Sequence, residues 1–448
     1  MTPRASATVL AVLSKLSPTE RTIIELGSAF SAAEPLSIFT RGLGMLHCRL
    51  DGHSVKNSDV LPVLRGLVEQ GLLAGECSYF VPPEIAHAAM LEVARNGRLA
   101  RLAEIVREIR PARKEPGRTI STWDLAKREL RLELYAGRWT AARSLVGELR
   151  RHIFFDICQP FDPAWVARFP VDLRRAAVTG IVETSLALLK PADQAFALLE
   201  AEPPSELTDS EHRVIVEQLI FRGRLADAER LLAARTSVES EVSRAFLLFL
   251  RGQFGPAIAA YEAALVSYFK IAGKRAVFFP DRAGFFFLVA LIAEGSTASL
   301  SRAADLAGAG SRAKSLPFRG SHSLFSEVLG ILTRRIDPDD VIYLANGSNL
   351  AALDPLEVLL HAATLLWVEV GEAERSGAAK SVFAAVAEQL AAAQAAGLGW
   401  YATQAAAVLQ RHSGAAMDKG TAVDGISLAH LVAPREHWSD ALDALLEI

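Results

Sequence analysis

Gly273 and Lys274 form the one Gly-Lys pair in these 448 residues. A phosphate loop needs a glycine five positions earlier and Ser or Thr after the lysine, so that backbone N–H groups and the ammonium surround a phosphate. Tyr268 and Arg275 stand there instead. Gly308-Ala309-Gly310 imitates a dinucleotide fingerprint, but it follows a helical stretch where that fingerprint requires a strand. Glu84 and His87, at i and i+3 on an expected helix, make half of a di-iron ligand set. No second Glu-x-x-His pair completes it, so an ordinary surface pair is expected. HExxH and Gly-x-Ser-x-Gly do not occur. Cys48, Cys77 and Cys158 are too far apart for a CxxC pair and are expected as small buried hydrophobes in a reducing cytoplasm. The motifs therefore assign no catalytic residue, no metal ligand and no cofactor.

The remaining chemistry is cationic. Residues 95–151 hold fifteen Lys and Arg against seven acids, a local charge of +8. Arg107, Arg110, Arg113, Lys114, Arg118, Lys127, Arg128 and Arg131 form its centre. Such a cluster is either a set of solvated helix faces or a surface for nucleic-acid phosphates. Residues 354–448 carry −7, and the whole chain −3, so the protein is not a generic polyanion binder. A second group, Lys270, Lys274 and Arg275, precedes five rings: Phe278, Phe279, Phe285, Phe286 and Phe287. Either the rings plug a core, or the basic trio also stays exposed to hold an acidic partner or a nucleic-acid backbone.

These residues must sit on helices. The chain is 51% apolar and 22% charged, a globular composition, and apolar residues recur at three- and four-residue spacing. The longest apolar run, Phe285 to Ala293, is far short of the ~20 residues that cross a bilayer, so no membrane partner is expected. The fold class read from this is all-α, an N-terminal winged helix-turn-helix followed by a degenerate tetratricopeptide-like α-solenoid. Ser17-Pro18-Thr19-Glu20 starts a first helix, Pro35 a second and Asn57-Ser58-Asp59 a third; Gly71 stops the third, and Ser78-Tyr79-Phe80-Val81 reads as a strand. That order predicts a winged helix-turn-helix over about 17–83, within a domain 1–95. Its third helix offers Lys56 and Arg65 against Asp59 and Glu69, so reading DNA and docking protein both stay open for it. Helical repeats are expected over 96–345, from Gly137-Arg138-Trp139-Thr140-Ala141-Ala142, Gly223-Arg224-Leu225-Ala226-Asp227-Ala228 and Gly252-Gln253-Phe254-Gly255-Pro256-Ala257. Ala-rich helices over 346–448 end in an amphipathic stretch from His437, read as leading to a further domain.

The segment Lys270 to Pro280, followed by Ala283-Gly284-Phe285-Phe286-Phe287 and lying behind the repeat helix Ala257 to Leu265, resembles part of a known family. It is similar to the N-terminal region of large bacterial helicase-like proteins that carry a Swi/Snf-type ATPase at their C-terminal end. Trp438, Leu442 and Leu445 resemble the helix leading into that motor. The resemblance implies a non-catalytic regulatory module, docking protein partners, its own C-terminal ATPase domain or DNA, with hydrolysis confined to the motor. The other expectation is a free-standing helical-repeat adaptor, or the sensor part of a transcription regulator.

Overall fold

The structure, a computed structural model, describes residues 9–50, 53–111, 122–148, 152–233, 235–273, 276–313, 319–332, 354–367 and 377–413. Helices dominate, as the all-α expectation requires, and among the described residues the strands are two residues long. Contacts divide the chain into Met1–Thr184 and Ser185–Ile448.

In the first unit, α1 (Pro18–Phe30) starts as the sequence says. Ser17 Oγ accepts the Glu20 N–H at 3.3 Å, and Glu20 returns a carboxylate to the Ser17 N–H at 2.8 Å, a reciprocal cap. Its second half, Ile23 to Phe30, is wholly buried. Against it pack α2 (Leu36–Met45), α3 (Asn57–Glu69), α4 (Pro83–Arg95), α5 (Leu99–Ile109) and α6 (Thr122–Ala136). A Cβ at Gly27 would stand 2.7 Å from Val81 Cγ2, so that close approach requires glycine. Strand β1 (Glu34–Pro35) pairs antiparallel with β4 (Ser78–Tyr79), prolonged by a bridge from Ala74 to Phe80, while β2 (Arg49–Leu50) pairs with β3 (His53–Ser54). Next come α7 (Trp139–Glu148), α8 (Ile153–Ile157), α9 (Pro163–Val166) and α10 (Val171–Ala187), in which the division falls.

The second unit continues with α11 (Asp193–Glu200), α12 (Asp209–Phe221), α13 (Leu225–Ala233), α14 (Val238–Leu250), α15 (Phe254–Ala272) and α16 (Arg282–Glu294). Then follow α17 (Thr297–Arg312), α18 (Arg319–Leu332), α19 (Pro355–Trp367), α20 (Gly377–Ala395) and α21 (Gly399–His412). Neighbours in sequence pack together, and α21 also returns to α12. Trp400 meets Phe221, Phe246 and Phe286 at ring distances of 5.1, 6.0 and 5.6 Å. The array of this unit therefore closes on an aromatic core.

One turn recurs in both units. Gly137, Gly223 and Gly252 each separate two helices with φ between 68° and 83°, and Gly97 and Gly397 do the same at 68° and 66°. The next residue donates its N–H five positions back: Arg98 to Val93, Arg138 to Glu133, Arg224 to Leu219, Gln253 to Leu248 and Leu398 to Ala393, at 2.8–3.1 Å. This 6→1 bond marks the Schellman ending, which asks for a left-handed residue. Five positions after each glycine, Leu102, Ala142, Ala228, Ala257 and Ala402 are buried. At four of these positions the residue is alanine, and its short side chain lets paired helices approach. Leu189 fills the turn role with φ 49°, and Lys190 bonds back to Ser185 at 2.8 Å.

Two expectations are corrected. His87 is 1% exposed and not a surface residue, because α4 turns its 85–90 face inward. Of the cysteines only Cys158 is buried; Cys48 is half-buried and Cys77 exposed, and all three are free thiols.

Candidate functional site: a cleft at Arg131

Most described cations of the 95–148 stretch are joined to carboxylates. Arg107 donates to Glu129 and Glu133, both at 2.8 Å. Arg110 holds Glu34 at 2.6 Å. Arg128 is buried, donating to Glu129 at 2.6 Å and to the Arg110 carbonyl at 2.7 Å. Lys127 lies 3.2 Å from Asp124 and 3.3 Å from Asp156. Outside the residues singled out by sequence, Arg98 is bidentate on Glu25 at 2.6 and 2.8 Å, and Arg143 is bidentate on Asp172. Burial raises the Glu25 carboxyl above its ordinary value despite Arg98. Burial also raises Glu133, but the hydrogen bonds from Arg138 and Arg107 more than reverse this. Much of the positive charge is thus spent fastening α1, α5, α6 and their neighbours. Arg113, Lys114, Arg118, Lys274 and Arg275 lie outside the described residues.

Arg131 is different. It is half-buried on α6, and among the described residues no carboxylate pairs with it. Its Nη1 donates to Ser31 Oγ at 3.2 Å, its guanidinium lies 5.7 Å from the Tyr135 ring centre, and its buried Nε has no partner. It lines a cleft of about 370 Å³ with Ser31, Phe80, Val81, Ala86 and Gln159. Asp156 also reaches the cleft, with Lys127 as its counterion. Ser31 occupies the left-handed region at φ 61°, ending α1 and turning the chain toward β1.

A buried network stands behind the cleft. His87 Nδ1 lies 2.6 Å from the Tyr135 hydroxyl and Nε2 lies 3.0 Å from Asp162 Oδ2. The carboxylate can only accept, so Nε2 carries the proton and Tyr135 donates to Nδ1. Asp162 also accepts from the N–H groups of Ala164 and Trp165, and Trp165 stacks on Tyr135 at 4.5 Å. Burial lowers the His87 pKa, with Asp162 opposing. Burial also pushes Tyr135 and Cys158 up to about 12. All three side chains are neutral at pH 7, a bracing network and not an activated nucleophile. Sequence spacing missed it because its members lie 48 and 75 residues apart.

The Lys270 segment divides in two. Phe278, Phe279, Phe285, Phe286 and Phe287 are all buried, with Phe286 stacked 4.3 Å from Phe246, so the rings plug a core. Lys270 is exposed near the end of α15, in whose last two turns Val266, Phe269 and Ile271 are 53%, 37% and 77% exposed.

Among the described residues no group of three or more His, Cys, Asp or Glu is placed to hold a metal ion, and no helix is long and apolar enough to cross a membrane. No protein-family signature, no curated protein and no solved structure matches the chain.

Proposed function

We propose that the chain is a non-catalytic docking module: a winged helix-turn-helix with tetratricopeptide-like hairpins behind it, of the kind that precedes a bacterial Swi/Snf-type motor. The exposed end of α15 carries this reading. Val266 and Phe269, three residues apart on one face of α15, leave apolar side chains in water beside Lys270, and exposed apolar residues next to a charge suit a protein partner of apolar and acidic character. That partner is the C-terminal ATPase domain of the same protein or a separate acidic protein. DNA binding by the Arg cluster is the weaker part of the reading, since Arg107, Arg110, Lys127 and Arg128 already have carboxylate partners. A photo-crosslinking residue at Val266, placed in the protein in its native cells, tests it. A discrete adduct that disappears when Phe269 becomes Asp supports docking here. Crosslinks no more specific than those from an exposed control position such as Arg95 sink it. The sensor part of a transcription regulator is the second reading, favoured by the cleft between the β1/β4 ladder and α6.

A further inference from the structure

The geometry points to the Arg131 cleft as a binding site for a small monocarboxylate with a compact apolar body. The first argument is charge. Of the described cations in residues 95–148, only Arg95 and Arg131 lack a carboxylate partner, and Arg95 is fully at the surface. A half-buried guanidinium without a counterion keeps most of its desolvation cost, and an anion supplied from solution removes it. The planar guanidinium also matches a carboxylate in geometry. Asp162, the acid nearest in the network, does not serve: its oxygens are taken by His87 and two backbone N–H groups.

The second argument is the shape and chemistry of the walls. Phe80, 43% exposed, and Val81 give an apolar side, and Ala86 a small floor. Ser31 and Gln159 add a hydroxyl and an amide, the few polar groups that orient a ligand in a mostly apolar recess. The volume of about 370 Å³ suits a small molecule. Asp156, on the rim and paired with Lys127, disfavours dianions and polyphosphates, so a single carboxylate is the better fit than a nucleotide.

The position gives such a ligand a consequence. Ser31 ends α1 and leads into β1, while Phe80 and Val81 follow β4. A carboxylate on Arg131 would tie α6 to both sides of that ladder. This site is independent of the α15 docking surface.

The test is a thermal-shift and calorimetric titration of the full chain with butyrate, hexanoate, benzoate and phenylacetate, each beside its neutral amide at constant ionic strength. At least one acid should raise the melting midpoint saturably while its amide does not. Arg131→Met should weaken that binding tenfold or more. Ala33→Phe, which fills the cleft from its exposed rim, should abolish it while leaving the circular dichroism spectrum unchanged, and it decides the matter if Arg131→Met does not fold. The proposal is overturned if no acid stabilises the wild type, if an amide works as well as its acid, or if Ala33→Phe binds like wild type.

Discussion

Tyr135 shows how much rests on one hydroxyl. It fills the Nδ1 acceptor of a histidine that is 1% exposed. Tyr135→Phe keeps the ring stack with Trp165 but orphans that nitrogen, and a buried acceptor left unmade costs about 1–3 kcal/mol. Urea denaturation should show the loss, and an unchanged midpoint would mean that water replaces the hydroxyl. Phe286 is the apolar counterpart, 0% exposed among Phe246, Phe249 and Trp400. Phe286→Ala should cost about 3–5 kcal/mol. The crowding of five rings in the sequence already pointed to a core there. His87 was not legible in the same way, because Glu84 beside it is exposed and the partners of the ring come from α6 and the start of α9. Side-chain chemistry that converges from distant elements leaves no local spacing to read. The same reason hid Arg131: it looked like one more member of a basic cluster, and only the pairing of its neighbours sets it apart.

At the level of elements, the glycine-centred hairpins were the best signal in the chain. Gly223 needs φ 83° for the bond from Arg224 to Leu219. An alanine there pays about 1–2 kcal/mol in left-handed backbone strain, so Gly223→Ala should lower stability by that amount. Gly66 is a control of opposite sign. It lies inside α3, a Cβ there meets nothing within 4 Å, and its φ is not left-handed. Gly66→Ala should therefore stabilise by about 0.5–1 kcal/mol. Equal effects at the two positions would refute the turn argument. Gly97 and Gly397 make the same turn yet do not read as repeat copies in the sequence, since leucine stands at 102 where the three copies place alanine, and Gly397 is followed by Leu398-Gly399. Leu189 escaped because it is not glycine at all. The strand at Ser78–Tyr79 was foreseen, but its partner, Glu34–Pro35, was not, because a two-residue pairing carries no alternation to detect.

At the level of the whole molecule, the buried histidines set how the fold answers acid. His322 and His361 are 1% and 5% exposed, and burial lowers both pKa values to about 4. Burial lowers His87 and His212 as well. The unfolded imidazoles take protons below about 6.5, while in the fold His322 and His361 wait until about 4 and His87 and His212 titrate below their ordinary value. Across that window the unfolded chain binds more protons, so stability falls as pH falls. Asp281 and Glu25 run the other way: burial raises the Asp281 carboxyl from 3.8 to about 6 and lifts Glu25 above its ordinary value, so over those windows the folded chain holds the extra proton. Two strongly shifted histidines outweigh one aspartate, each linked proton contributing a slope of about 1.4 kcal/mol per pH unit. Urea midpoints at pH 7.5, 6 and 5 should therefore decline, with a net slope approaching about one proton between pH 6 and 5. His361→Leu should remove one histidine's share, leaving His322 nearly balanced by Asp281 and the slope between pH 6 and 5 close to flat. A midpoint constant from pH 7.5 to 5 would mean that these imidazoles reach water in the folded protein, and that the closed core of the second unit is open to solvent.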